Sequence, residues 1–161
     1  EKLNTKFERE HNIVREENDQ GKLSQLNKII EENPENISFL RMSVDYNLEA
    51  FEFSKALASQ ERIIQILGNK TTVSDYSLFL ELLVNAARGY VSPKSKRLID
   101  LILKFEANNK TAKLLDGHFF AQSGNLMEAE RIWDTIANEN MNDKLLIERI
   151  KIAKQKYFEG K

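Results

Sequence analysis

Few side chains in this chain could do acid–base or nucleophilic chemistry. There is no cysteine, which removes disulfides, thiolate metal sites and cysteine nucleophiles together. Two histidines occur, His11 and His118. Asp116 precedes His118 by two positions, an offset that puts the two side chains on different sides of a helix, so they make no dyad. The acidic pairs Glu16–Glu17 and Glu31–Glu32 are adjacent in helical sequence and read as solvated faces rather than as an acid and a base flanking a substrate. No HExxH, GxSxG, phosphate-loop or EF-hand pattern occurs. The expectation is a protein that is not an enzyme, with no catalytic residue, no metal site and no cofactor.

Charge points away from nucleic acid as well. Across 161 residues, 24 basic side chains face 25 acidic ones, a formal net charge of −1, so no basic field is available to gather an anionic polymer. The small cluster PKSKR at 93–97 reads as a solvated turn at a helix start. Asn36–Ser38, Asn69–Thr71 and Asn109–Thr111 match the glycosylation acceptor, as chance allows in an Asn-rich chain. No apolar run approaches the roughly 18 residues of a membrane span, and there is no signal peptide. The chain begins at Glu1 rather than Met, so a processed or excised piece is expected, reaching a membrane only through an anchor upstream of it.

With no chemistry to place, the elements themselves carry the argument. Apolar residues recur at i, i+3, i+4 and i+7, while period-two alternation is scarce, which predicts an all-α chain. Residues 1–20 form a marginal amphipathic helix or linker, with Leu3, Phe7, Ile13 and Val14 in a charged background. KLSQLNKIIEENPEN aligns Leu23, Leu26, Ile29 and Ile30 and stops at Pro34. ISFLRMSVDYNLEA and FSKALASQERIIQILG follow, the second closed by Gly68. Thr72 or Ser74 caps YSLFLELLVNAARG, and Ser92 with Pro93 opens the next helix. GHFFAQSGNLMEAERIW breaks at Ser123–Gly124–Asn125 into two helices, and NDKLLIERIKIAKQKYF supplies the last of about eight.

The helices repeat. Ala129 follows Ser95 by 34 residues and Ala56 follows Lys22 by 34, while Ser95 follows Ala56 by 39, the excess falling in the GNKTTVSD loop. A period of about 34 is that of the tetratricopeptide repeat. Gly117, Phe120, Gly124, Ala129 and Trp133 occupy its small, aromatic, turn, small and large positions in order. The reason is steric: the small residues let paired helices approach, and the large ones fill the space beside them. A single helix pair cannot bury its own apolar stripe, so several must stack.

The expected architecture is therefore a tetratricopeptide-like α–α superhelix of antiparallel helix pairs over residues 21–161. It comprises a partial repeat at 22–35, repeats at about 37–70, 74–108 and 110–141, an extra helix before them and a capping helix at 142–158. Function would lie on the concave face made by the first helix of each pair. Projecting the pattern puts Arg41, Asp45 and Leu48 on that groove in the first full repeat, Leu80, Val84 and Arg88 in the second, and Leu114, His118, Ala121 and Gln122 in the third. Mixed apolar and polar, the set suits a peptide laid in the groove. An alternative leaves Leu80, Val84 and Leu114 within the core.

The order and spacing of LSQLNKIIEENPENISFL, SDYSLFLELLVNAA, VSPKSKRLIDLIL, KTAKLLDGHFFAQSGNLMEAERIWDTI and LLIERIKIAK resemble the tetratricopeptide domain of c-type cytochrome biogenesis proteins of the CcmH/CcmI and NrfG types. The resemblance covers about residues 22–155. Three features depart from it: Asp116 stands at an apolar position, Gln60 replaces a large apolar residue, and FEFSKALAS lacks a turn glycine. The resemblance implies a chaperone that holds the C-terminal helix of an apocytochrome c and presents it to heme lyase components. It also implies a periplasmic domain tethered to the inner membrane. A structural adaptor organising another complex is the alternative.

Overall fold

A computed structural model describes residues 20–159. The lead-in helix or linker expected over 1–20 lies, apart from Gln20, outside the described residues. Every described element is helical: α1 (20–32), α2 Ile37–Glu49, α3 Phe53–Leu67, α4 Val73–Ala86, α5 Pro93–Phe105, α6 Lys110–Gln122, α7 Leu126–Glu139 and α8 Lys144–Lys154. A short 3₁₀ turn (Gly68–Lys70) precedes α4, and one π turn (Gln155–Glu159) continues α8.

Local sequence explains where the helices start. Asn36, Thr72, Ser92, Asn109, Asn125 and Asp143 each accept a hydrogen bond from a first-turn amide, satisfying a donor that the helix itself leaves orphaned. Thr72 and Asp75 form a reciprocal capping box. Pro93 follows Ser92 at the first helical position, where its missing N–H costs nothing. Between the members of each pair the chain turns through a left-handed residue: Phe51 at φ 58°, Arg88 and Gly89 at 54° and 89°, and Gly124 at 83°.

The chain divides into two compact units, one ending at Leu67 and the other beginning at Gly68. In the first, α2 and α3 pack as an antiparallel pair, with Leu40, Val44, Ala56 and Ile63 buried. A polar seam accompanies them: the Ser43 and Ser59 hydroxyls are 2.9 Å apart, and Asn47 Nδ2 donates to the Ser43 carbonyl at 2.7 Å.

In the second unit α4 pairs with α5 and α6 with α7, and α6 also lies beside both α4 and α8. Trp133 of α7 is wholly buried, and its indole N–H donates to the Leu114 carbonyl at 3.0 Å. Leu114, Ala121, Ala129, Ile136, Leu146, Ile150 and Ala153 complete the cluster, with Tyr157 and Phe158 against its edge. Asp116, the departure from the apolar pattern, meets Lys96 Nζ at 2.6 Å. The same ammonium reaches Asp100 at 2.8 Å and lies over the rings of Phe119 and Phe120.

Candidate functional site

Helices α4, α6 and α8 present one surface with a common register. Ser77, Thr111 and Leu145 are spaced by 34 residues, and so are Glu81, Leu115 and Arg149. Val84, His118 and Ile152 form a third such row, and Arg88, Gln122 and Lys156 a fourth. Along α6 these positions fall at i, i+4, i+7 and i+11, one face of a 3.6-residue turn; Arg88 lies two residues beyond α4 with a left-handed backbone, and Lys156 in the π turn after α8.

A cleft of ≈ 290 Å³ opens on this face, lined by Glu81, Val84 and Asn85 of α4, Leu115 of α6, and Leu145 and Arg149 of α8. A smaller one of ≈ 150 Å³ adjoins it through Leu145 and Arg149 and is lined by Lys110, Thr111, Asp143 and Leu146 as well. Two ion pairs brace the walls. Arg149 reaches Glu81 at 3.1 Å, joining α8 to α4 across α6. Lys110 meets Asp143 at 2.8 Å at the helix starts; that ammonium and the Leu146 amide, both bonding the Asp143 carboxylate, hold it below its usual pKa. Leu145 is 72% exposed and Ile152 56%, so two large apolar side chains face solvent beside the cleft.

His118 lies one turn beyond Leu115 on α6 and is half-buried. Its ring stacks edge-on against Trp133 at 5.3 Å and Tyr157 at 5.7 Å between centroids. Burial, reinforced by the Lys156 and Arg149 cations, pushes its pKa down to about 4, so the imidazole is neutral at pH 7. Gln122 is committed locally: its Oε1 accepts from the Val91 amide at 2.8 Å and its Nε2 donates to the Val91 carbonyl at 3.2 Å.

The residues projected onto the groove divide accordingly. Val84 borders the cleft but is buried, only 6% exposed, and Arg88, His118 and Gln122 share the 34-residue interval without lining it. Leu80 and Leu114, expected on the groove, are only 0% and 1% exposed, and Ala121 is buried beside Trp133. Each leucine immediately precedes a lining residue, Glu81 or Leu115, and one helical step turns the side chain by about 100°. Arg41 and Asp45 are exposed and Leu48 half-buried on α2, in the first unit. Glu81, Leu115, Leu145 and Arg149 were missed. The signal for them was the interval of 34 from Thr111 to Leu145, which makes α8 a third wall of the groove as well as a cap.

No protein-family model matches the chain. It is similar to the formate-dependent nitrite reductase complex subunit NrfG of Escherichia coli O157:H7, with 23% identity over 147 residues, 89% of this chain and 73% of that protein. The chain is a distant relative of that subunit. The similarity runs through nearly the whole chain. Among the described residues no group of three or more His, Cys, Asp or Glu side chains is placed to hold a metal, and no helix is long and apolar enough to cross a membrane.

Proposed function

We propose that the protein is a non-enzymatic, peptide-binding tetratricopeptide module that serves the maturation of a c-type cytochrome. In this reading the cleft between α4, α6 and α8 holds the C-terminal helix of an apocytochrome while heme is attached, with heme lyase components as neighbours. The work is done in the periplasm, at the inner membrane. The observation that carries the proposal is the shared register of three helices around an apolar floor. Leu145 and Ile152 are exposed, and with the largely covered Leu115 and Val84 they offer an apolar stripe of the kind an amphipathic helix seats on. NrfG, the distant relative, is a subunit of a nitrite reductase complex, which agrees with a protein that acts by holding another protein.

Fluorescence anisotropy with a labelled peptide copied from a c-type cytochrome's C-terminal helix tests this. Binding is expected with Kd of about 10–100 μM, ordinary for a shallow groove. Leu145→Glu should weaken it about tenfold, roughly 1.4 kcal/mol, and since Leu145 is exposed the fold should be unaffected. Absence of binding at those concentrations, or indifference to Leu145→Glu, would count against the reading.

A second reading, an adaptor docking through the outer face of α5, is favoured by the exposed pair Leu101 and Phe105, one helical turn apart. Phe105→Ala separates the two. It should leave peptide binding unchanged in the first reading and abolish complex assembly in the second.

A further inference from the structure

Two residues past α4, at the end of α6 and in the π turn that continues α8 stand Arg88, Gln122 and Lys156. Lys156 Nζ lies 3.8 Å from the position a Cβ on Gly89 would take, so the ammonium reaches from α8 across to the turn that carries Arg88. Arg88 holds a left-handed backbone, φ 54°, with its side chain exposed. Among the described residues neither cation is paired with a carboxylate. Lys156 has only the ring of Tyr157, at 5.1 Å, beneath it.

Two of the acids along these helices are ion-paired, while Glu159, three residues beyond Lys156, is exposed. Glu81 is bound to Arg149 and Asp143 to Lys110. The opposite end of the surface, Ser77, Thr111 and Leu145, is uncharged. An apolar floor therefore runs from an end where Lys110 and Asp143 neutralise each other to an end where Arg88 and Lys156 outnumber Glu159, in a chain whose overall charge is −1.

We infer that this surface takes an amphipathic helix carrying Asp or Glu side chains at one end, seated with that acidic end against Arg88 and Lys156. The inference rests on the peptide-binding reading above and adds the guest's charge and direction to it. Its basis is complementarity: burying the guest's apolar face brings its end toward two cations from different elements, which two carboxylate side chains match in number where one chain terminus does not. Neutral imidazole at His118 adds no third charge. Such rim charges contribute mainly to specificity and association rate, and are screened by salt.

The test uses the full chain and a set of labelled, amidated peptides of one apolar face and about 16 residues, four to five turns. One carries Glu at its C-terminal end, one carries Glu at its N-terminal end, one has Gln in place of Glu, and one has Gln and a free terminal carboxylate. At low salt a Glu-ended peptide should bind about 5- to 10-fold more tightly than the Gln peptide, roughly 1 kcal/mol, and the gain should shrink at high salt. The two Glu peptides should differ from each other, because only one direction seats the acids on the cations. Arg88→Gln with Lys156→Gln should erase the gain, and Arg88→Glu with Lys156→Glu should reverse it in favour of a Lys-ended peptide. If the Gln peptide binds as tightly as the Glu peptides, or if the terminal carboxylate alone supplies the gain, the inference fails while the groove stands. If no peptide binds, the groove and the inference fall together.

Discussion

The indole of Trp133 lies directly against the backbone of Gly117. A Cβ placed on Gly117 would overlap Trp133 Nε1, and would sit 2.6 Å from Cε2 and 2.7 Å from Cδ1. Neither group has room to retreat, because the ring is wholly buried and its N–H is bonded to the Leu114 carbonyl one turn earlier on α6. The glycine is there for close approach, and its helix backbone is ordinary.

Gly117→Ala should therefore destabilise the protein although alanine is the better helix former. Propensity offers at most about 1 kcal/mol in favour of the change, whereas overpacking a filled core costs about 1–3 kcal/mol and sometimes more. A net loss of about 2 kcal/mol is expected in urea unfolding. Combining it with Trp133→Phe should cost less than the sum of the two single changes, since each acts on the same contact. Simple additivity would show that the ring can move and that the contact does not determine helix approach.

Phe51 holds the turn between α2 and α3 with φ 58°, the place where Gly124 serves the pair α6–α7. A left-handed backbone costs a residue with a Cβ about 1–2 kcal/mol, and glycine avoids that at an entropic cost of about 0.5–1 kcal/mol. The Phe51 ring is 78% exposed and meets only the edge of Phe53 at 6.3 Å, so little packing opposes the exchange. Phe51→Gly should stabilise by about 0.5 kcal/mol, whereas Phe51→Ala, which keeps the strain and loses the ring, should not. Thermal unfolding of the two variants beside the parent checks the order.

How much of this was legible follows from how local each cause is. Pro34 and the Ser92–Pro93 start are local, and both helix boundaries lie where those residues put them. The repeat interval is also a property of the string, so the all-α fold of helix pairs could be read from it. The rotation of each helix about its own axis is less accessible. Leu114 and Leu115 are both leucine and both buried, at 1% and 5% exposure, and only the rotation of α6 turns the first toward Trp133 and the second toward the cleft wall. Asp116 looked like a flaw in the pattern because its partner Lys96 lies 20 residues away, on a different helix. Burial opposes the charge on Lys96, but the carboxylates of Asp100 and Asp116 outweigh it and raise its pKa.

His118 makes stability depend on pH. Its folded pKa is depressed to about 4, below the ordinary value near 6.5, so between those values the unfolded chain binds a proton that the folded chain does not. Stability is then full above about pH 6.5 and falls as pH drops toward about 4, by up to about 3 kcal/mol. The cations facing the ring, Lys156 and Arg149, stay charged throughout this window and add nothing to the slope themselves. His118→Phe keeps an aromatic ring against Trp133 and Tyr157 but has no proton to gain. Urea unfolding at pH 7.5 and pH 4.5 should show a much smaller drop for the variant than for the parent. Equal drops would place the pH dependence elsewhere.

The Arg149–Glu81 pair joins the two outer walls of the cleft, yet it is half open to water, with side-chain exposures of 42% and 34%. Exposed pairs of this kind contribute about 0–1 kcal/mol, so Glu81→Gln should leave unfolding nearly unchanged. Its effect on binding should be larger. The exchange removes the one acid that neutralises Arg149, and Arg149 lies on the same face of α8 as Lys156, two turns away. Arg149 then adds a third cation beside the apolar floor, and an acid-ended peptide should bind severalfold more tightly while its Gln counterpart gains little. If both peptides gained equally, the pair would be acting as a steric bar over Leu115 rather than as part of the charge pattern, and opening the wall would be the cause.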